Sequence, residues 1–207
     1  MTDEKGMLCS RLLADMGAEV IRIQKPGKNA GFRWENLGKR RVTLDVGLKQ
    51  GQKVFRRLLK NADVLVESYP PGYLDSLGLG YNELSKINPR LIVASITPFG
   101  QSGPYSGYKS SDIIASAMGG QLFVTGEAKK PPLKIFGSQS YYLASLFAAI
   151  GVMLALWHRH GSGKGQHIDI SLQECTAAAL DHVLVRYFYQ GEVAGRQGSL
   201  HWNGAFR

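Results

Sequence analysis

The chain has 207 residues, of which 44% are hydrophobic and 20% charged. Those proportions belong to a folded globular chain and exclude a disordered or fibrous one, and the length suits one ordinary domain or a piece of a larger one. An excess of 25 Lys+Arg over 16 Asp+Glu gives a formal charge of +9, which favours an anionic partner. The basic residues are dispersed, however. Lys39-Arg40-Arg41, Arg56-Arg57 and Lys129-Lys130 are short clusters that suit a solvated surface better than a nucleic-acid track. Two cysteines, Cys9 and Cys175, exclude a disulfide framework and have no metal-ligand spacing, in keeping with a reduced, cytoplasmic setting. The N-terminus lacks the apolar core of a signal peptide.

Helix and strand signals then alternate along the chain. Leu8 to Met16 has helical apolar spacing closed by Gly17, and residues 18–24 read as a short strand stopped by Lys25-Pro26-Gly27. Residues 28–41 form a polar, basic loop, and Val42 to Leu44 read as a short edge strand. Leu48 to Lys60 is an amphipathic helix, Asp63 to Glu67 a strand, and Tyr69-Pro70-Pro71-Gly72 a turn. Two short helices (73–77 and 82–87) and a strand (90–96) follow, then a loop from Pro98 to Lys109 with three glycines and two prolines. A helix at 111–118 breaks at Gly119-Gly120. The long apolar helix at about 140–160 ends at Gly161-Ser162-Gly163-Lys164-Gly165, and a strand at 166–170 leads into one helix over 172–189. This rhythm predicts an α/β fold with a Rossmann-like open parallel sheet and flanking helices. Residues 1–190 are expected to form one incomplete α/β large domain, and the polar, glycine-rich 191–207 a linker. The opening directly in a helix and the stop inside a linker both suggest a piece of a longer protein.

Three signals are weaker than they look. Residues 141–157 are uncharged and near the minimum spanning length, but interruption by Ser145 and Gly151 favours a buried core helix. Lys164 is followed by Gly165 and preceded by no P-loop glycine, and Gly78-Leu79-Gly80 lacks a third glycine. His158 and His160, two residues apart on a helix, cannot share a metal ion, and no metal site is expected.

A set of phrases in order carries a resemblance. They are Leu12 to Ile21, Lys39 to Asp45, Ala62 to Glu67, Tyr69 to Gly72, Leu77 to Leu79, Asn88 to Ile92, Phe99 to Pro104 and Gly163 to Gln166. In this order and spacing they resemble the family III CoA-transferases, the group that includes formyl-CoA transferase, carnitine CoA-transferase and α-methylacyl-CoA racemase. The resemblance implies a CoA-binding α/β domain from interlocked dimers, with acyl-CoA and a carboxylic acid as substrates and neither metal, nucleic acid nor membrane as partner. A small second domain and a C-terminal return segment are absent from the match.

Carried onto this sequence, the family's CoA site falls on Lys25, Tyr69, Gly72, Tyr73 and Lys109. Tyr69 would offer a face for a base, or simply pack. Lys25 and Lys109 would contact CoA, Lys109 as a point charge for a phosphate, or be solvated. The family's turn asparagine and an arginine beyond it are replaced by Ser68 and Ser76. The aspartate that attacks the acyl-CoA thioester, forming a mixed anhydride and then an aspartyl-CoA thioester, is replaced by Tyr141. No Asp or Glu occurs between Glu127 and Asp169. The racemase acid/base pair fares alike, its positions being Ser111 and Tyr141. The reading is a subunit that lacks its own nucleophile and pairs with an aspartate-bearing homologue, as in heteromeric members such as benzylsuccinate CoA-transferase. An acyl-CoA isomerase with altered chemistry and a non-catalytic CoA-binding scaffold are the alternatives.

Overall fold

The computed structural model describes residues 2–27 and 33–198. In chain order the elements are α1 (Met7–Asp15), β1 (Val20–Gln24), a 3-10 turn (Trp34–Asn36), β2 (Lys39–Thr43), α2 (Lys49–Leu59) and β3 (Val64–Glu67). They continue with α3 (Tyr73–Ser76), α4 (Tyr81–Ile87), β4 (Ile92–Thr97), α5 (Asp112–Met118) and α6 (Gln121–Val124). The last are α7 (Gln139–Ser162), β5 (His167–Ser171), α8 (Leu172–Ala178) and α9 (Asp181–Gln190).

All strand pairs are parallel, as the alternation with helices requires. They form two sheets, β1-β2 and β3-β4-β5, where a single open sheet was expected. β2 is longer than its apolar core Val42 suggests. It recruits Lys39, Arg40 and Arg41 into the ladder opposite Val20, Ile21 and Arg22, because pairing with β1 satisfies backbone groups whatever the side chains are.

The central strand of the three-stranded sheet is buried on both faces, whereas β5 leaves His167 and Asp169 exposed, and the period of two decides what each face meets. Ala94 and Ile96 of β4, with Ile170 of β5, join a core cluster with Cys9 and Leu13 of α1, Ala144, Ala148 and Val152 of α7, and Cys175 of α8. Leu65 and Val93, of the opposite parity, join the cluster of Phe55, Leu59, Leu74, Leu79, Leu84 and Leu91. All six residues of the central strand β4 are buried, which accounts for its near-continuous apolar sequence.

α7 is uncharged for most of its length and is long and apolar enough to cross a membrane by length and composition. Its inward face is made of small residues, Ser140, Ala144, Ser145, Ala148, Ala149, Val152 and Ala155, which let the helix lie close over the sheet. Its large apolar side chains, Leu146, Ile150, Met153, Leu154 and Trp157, face outward. At its end Arg159 is buried. Nη2 reaches Asp63 Oδ1 at 2.7 Å and Nη1 donates to the Arg90 carbonyl at 2.9 Å, so one guanidinium ties α7 to the entrances of β3 and β4. The following turn needs Gly165: a Cβ there would stand 2.0 Å from the Leu91 carbonyl oxygen.

The single helix expected over 172–189 is two helices. α8 closes at Ala179-Leu180, where Leu180 leaves helical geometry, and Asp181 opens α9 in a new direction. α8 buries Leu172, Cys175 and Thr176, whereas α9 buries none of its residues. Apolar spacing continues through the break, so periodicity could not mark where the packing partner ends. Residues 191–198 lie against 123–127, with Gly198 N donating to Gly126 O at 2.9 Å and Ala194 buried. Residues 199–207 of the expected linker lie outside the described residues.

Phe55→Ala, at a fully buried site, should cost about 3–5 kcal/mol, read by chemical denaturation. Arg159→Met should cost about 2–3 kcal/mol through its lost charge-assisted hydrogen bonds. A loss below half a kilocalorie there would show that the α7 tie is not structural.

Candidate functional site

In open α/β sheets ligands gather at the carboxyl ends of the strands, and the sequence-selected residues are found at such ends. Lys25 follows β1 and pairs with Asp45 Oδ2 at 3.3 Å, while Asp45 also accepts from Gly47 N at 2.9 Å. That backbone hydrogen bond, and then Lys25, hold the Asp45 carboxyl below its ordinary range. Leu44, the neighbour of Asp45, and Tyr69 pack against the same core cluster, and the Asp45 carboxylate contributes to raising the Tyr69 pKa.

In that turn Gly72 adopts φ 76°, a left-handed conformation that favours glycine, and sends the chain into α3. The reversal brings Tyr69 and Tyr73 into a stack with ring centroids 4.8 Å apart at 30°. Burial, then the Tyr73 phenol and the Glu67 and Asp45 carboxylates, raise the Tyr69 pKa, so its hydroxyl stays protonated. Ser76 donates to the Tyr73 carbonyl at 2.7 Å. Ser68 is taken by the N-terminal segment, accepting from Asp3 N at 2.8 Å and donating to Asp3 Oδ1 at 3.0 Å. Lys109 is exposed in the loop after β4. Among the described residues no hydrogen bond or ion pair joins it to Lys25 or the tyrosine stack.

Tyr141 lies in the first turn of α7, half-buried. Its pKa is raised by burial first, then by the carboxylates of Asp112, Asp3 and Glu4, against a smaller opposing hydrogen bond from the Asp112 backbone. Asp3 thus faces both Ser68 and Tyr141, and Ser145 of α7 donates to the Lys5 carbonyl at 2.9 Å. The N-terminal segment therefore bridges the turn after β3 and the start of α7. Ser111, the racemase-type position, caps α5 with extended backbone and no side-chain cap bond.

Two polar networks escaped the sequence reading. Asp112 Oδ1 accepts from Ser140 N at 3.0 Å and Ser140 Oγ at 2.6 Å, and Oδ2 pairs with Lys134 at 2.7 Å. This fixes the start of α7, and no spacing rule links residues 28 apart. The second runs across the three-stranded sheet. Glu67, buried at the end of β3, accepts from Tyr69 N at 2.8 Å, and its register neighbour Ser95 places Oγ 2.9 Å from His167 Nε2. Burial is the main cause that raises the Glu67 pKa and lowers that of His167. A signal was present for two of them: Glu67 and Ser95 are polar positions in the otherwise apolar stretches of β3 and β4.

The arrangement limits the chemistry available. A phenol held protonated can donate a hydrogen bond, but it cannot form the acyl anhydride that a carboxylate forms. Cys9 and Cys175 are both pushed up to about 12 by burial, so neither supplies a thiolate at neutral pH. Among the described residues no group of three or more His, Cys, Asp or Glu is placed to hold a metal ion.

The family model of CoA-transferase family III matches residues 5–207. The chain is 36% identical to the succinyl-CoA:(R)-benzylsuccinate CoA-transferase subunit BbsE of Thauera aromatica, covering 96% of this chain and 53% of that protein. It is 37% identical to the succinyl-CoA–L-malate CoA-transferase beta subunit of Chloroflexus aurantiacus, over 94% of this chain and 52% of that one. A crystal structure of a CAIB/BAIF family protein from Brucella suis superposes with a TM-score of 0.87 at 34% identity, over 94% of this chain and 56% of that chain. The chain thus spans about half the length of the relatives it matches. Parallel sheets with flanking helices, the ordered phrases along the sequence and these matches agree: the chain belongs to CoA-transferase family III.

Proposed function

We propose that this protein is the CoA-binding subunit of an acyl-CoA:carboxylate CoA-transferase whose attacking aspartate is supplied by a homologous subunit. The observation that carries this reading is Tyr141. It stands where the resemblance places the nucleophile, and its surroundings keep the phenol protonated. Asp112 is a poor replacement, because it is 8% exposed and Ser140 and Lys134 occupy its oxygens. Two of the similar proteins are themselves named as subunits, which favours a heteromer over an isolated enzyme.

In this reading the domain of residues 1–190 holds CoA over the carboxyl ends of β1 and β3. The adenine lies on the face of the Tyr69–Tyr73 stack, and the phosphates lie near Lys25 and Lys109. Lys25 would exchange Asp45 for phosphate, a modest change because the ion pair is exposed. Tyr141 donates a hydrogen bond at the place where the homologue's carboxylate would otherwise compete. The outward apolar face of α7 around Ile150, Leu154 and Trp157 suits the partner subunit or the remaining half of the family fold.

Calorimetric titration of CoA into the full-length protein should give saturable binding. Tyr69→Ala should weaken it about tenfold, the roughly 1.4 kcal/mol of one base-aromatic stack. Absence of binding by the unaltered protein would exclude the CoA-binding role. In the reconstituted heteromer, Tyr141→Asp should leave turnover within about twofold, whereas replacing the partner's aspartate abolishes it. Turnover by this chain alone, or a large gain from Tyr141→Asp, would contradict the division of labour.

A further inference from the structure

We propose that Arg22 and Arg41 form an oxyanion-binding site on the face of the β1–β2 sheet turned toward α1, where they take the carboxylate or phosphate group of a small molecule. The site does not depend on the CoA-binding role proposed above.

Arg22 and Arg41 are register partners in a parallel pair, so their side chains leave the sheet on the same face. Lys39, two residues before Arg41, shows where that face looks. Its Nζ donates to the Met7 carbonyl of α1 at 2.7 Å and to Asn36 Oδ1 at 3.3 Å. Ile23, of the opposite parity in β1, packs instead against the core cluster of Phe55 and Leu59. Like charges side by side on neighbouring strands are destabilising, the more so where water is partly excluded. Arg22 is half-buried, and burial first, then the charges of Arg41 and Arg33, lower its pKa. The backbone ladder thus holds two guanidiniums together against a repulsion that a bound anion would offset.

Neighbouring cations have carboxylates of their own. Arg11 pairs with Asp15 at 2.7 Å, Arg40 with Glu19 at 2.7 Å, and Arg33 with Glu4. Among the described residues no hydrogen bond or ion pair reaches the guanidinium of Arg22 or Arg41. Every Asp and Glu of the chain lies among those residues. A second observation stands one step along the same face, at the carboxyl end of β1. There Gln24 has its side-chain Oε1 buried without a hydrogen-bond partner among the described residues, and a half-turn of such an amide exchanges its oxygen for its N–H donors. Turned in this way, Gln24 adds a neutral donor beside the two charged ones. Guanidinium groups offer paired N–H donors that match the oxygens of carboxylate and phosphate, which names the class of ligand.

The test titrates inorganic phosphate, succinate and CoA separately into the full-length protein by calorimetry, at low ionic strength where screening is least. Phosphate or succinate should bind saturably. Arg41→Gln and Arg22→Gln should each weaken that binding about tenfold. Arg40→Gln, which removes the same charge from the other face, should change it by less than about twofold. If Arg22→Gln does not fold, Arg41→Gln, at an exposed position, decides the matter. Loss of CoA affinity together with phosphate affinity in Arg41→Gln supports the site and assigns it to a phosphate of CoA. Loss of succinate affinity with CoA affinity unchanged supports it and assigns it to a carboxylic acid. Binding of neither small anion overturns the proposal, as does binding that Arg41→Gln weakens no more than Arg40→Gln does. An unaltered protein that binds phosphate through Arg41 but fails to bind CoA keeps the site and removes the CoA-binding role instead.

Discussion

Strand β4 is flanked by β3 and β5 and covered on both faces, and none of its six residues is exposed. An unanswered buried polar group costs about 1–3 kcal/mol, and of the two hydroxyls in this strand Thr97 Oγ1 has no partner among the described residues whereas Ser95 Oγ has one. Ser95 finds its partner in His167 of β5, 2.9 Å away. The core reaches the turn at its edge in two ways, through the buried Glu67 carboxylate that accepts the Tyr69 backbone N–H and through the Tyr69 ring, which packs against the cluster of Leu65, Leu74 and Leu79.

α7 plays the matching part on the other face. Its alanines and serines bring it close to the sheet, and Arg159 at its end ties it to the entrances of β3 and β4. Its first turn is held by Asp112 through Ser140. Tyr141 is consequently presented at a fixed, half-buried place, where burial first and then the carboxylates of Asp112, Asp3 and Glu4 raise its pKa. An exposed row of large apolar residues on the opposite side of α7 leaves room for a further chain without disturbing this geometry.

Much of the fold was legible in advance. The alternation of helical and strand periods yielded β1, β3, β4 and β5 and the longer helices to within a few residues, because apolar spacing records which face is buried, while the four-residue helix α6 (Gln121–Val124) falls where a loop was expected. The extent of β2 was not legible, because Lys39, Arg40 and Arg41 look like loop residues until β1 pairs with them. Nor was the division of 172–189 into two helices, because the apolar period runs through Leu180 while the packing partner does not. Of the candidate site, Tyr69, Gly72 and Tyr73 could be read as a turn with aromatic faces. The pairings Lys25–Asp45, Asp112–Ser140 and Ser95–His167 link residues 20, 28 and 72 positions apart, and no local pattern encodes such partners.

The sequence by itself determined the family, the α/β class and the absence of a nucleophilic carboxylate between Glu127 and Asp169. These are matters of residue identity and order, which survive without coordinates. Only the tertiary structure decided what the replaced residues do. It turned Ser68 into an anchor for the N-terminal segment, stacked Tyr69 on Tyr73, and set Tyr141 among carboxylates that keep it neutral. The physical reason is that burial, charge and hydrogen-bond partners are properties of neighbours in space, and for these residues the decisive neighbours come from distant parts of the chain.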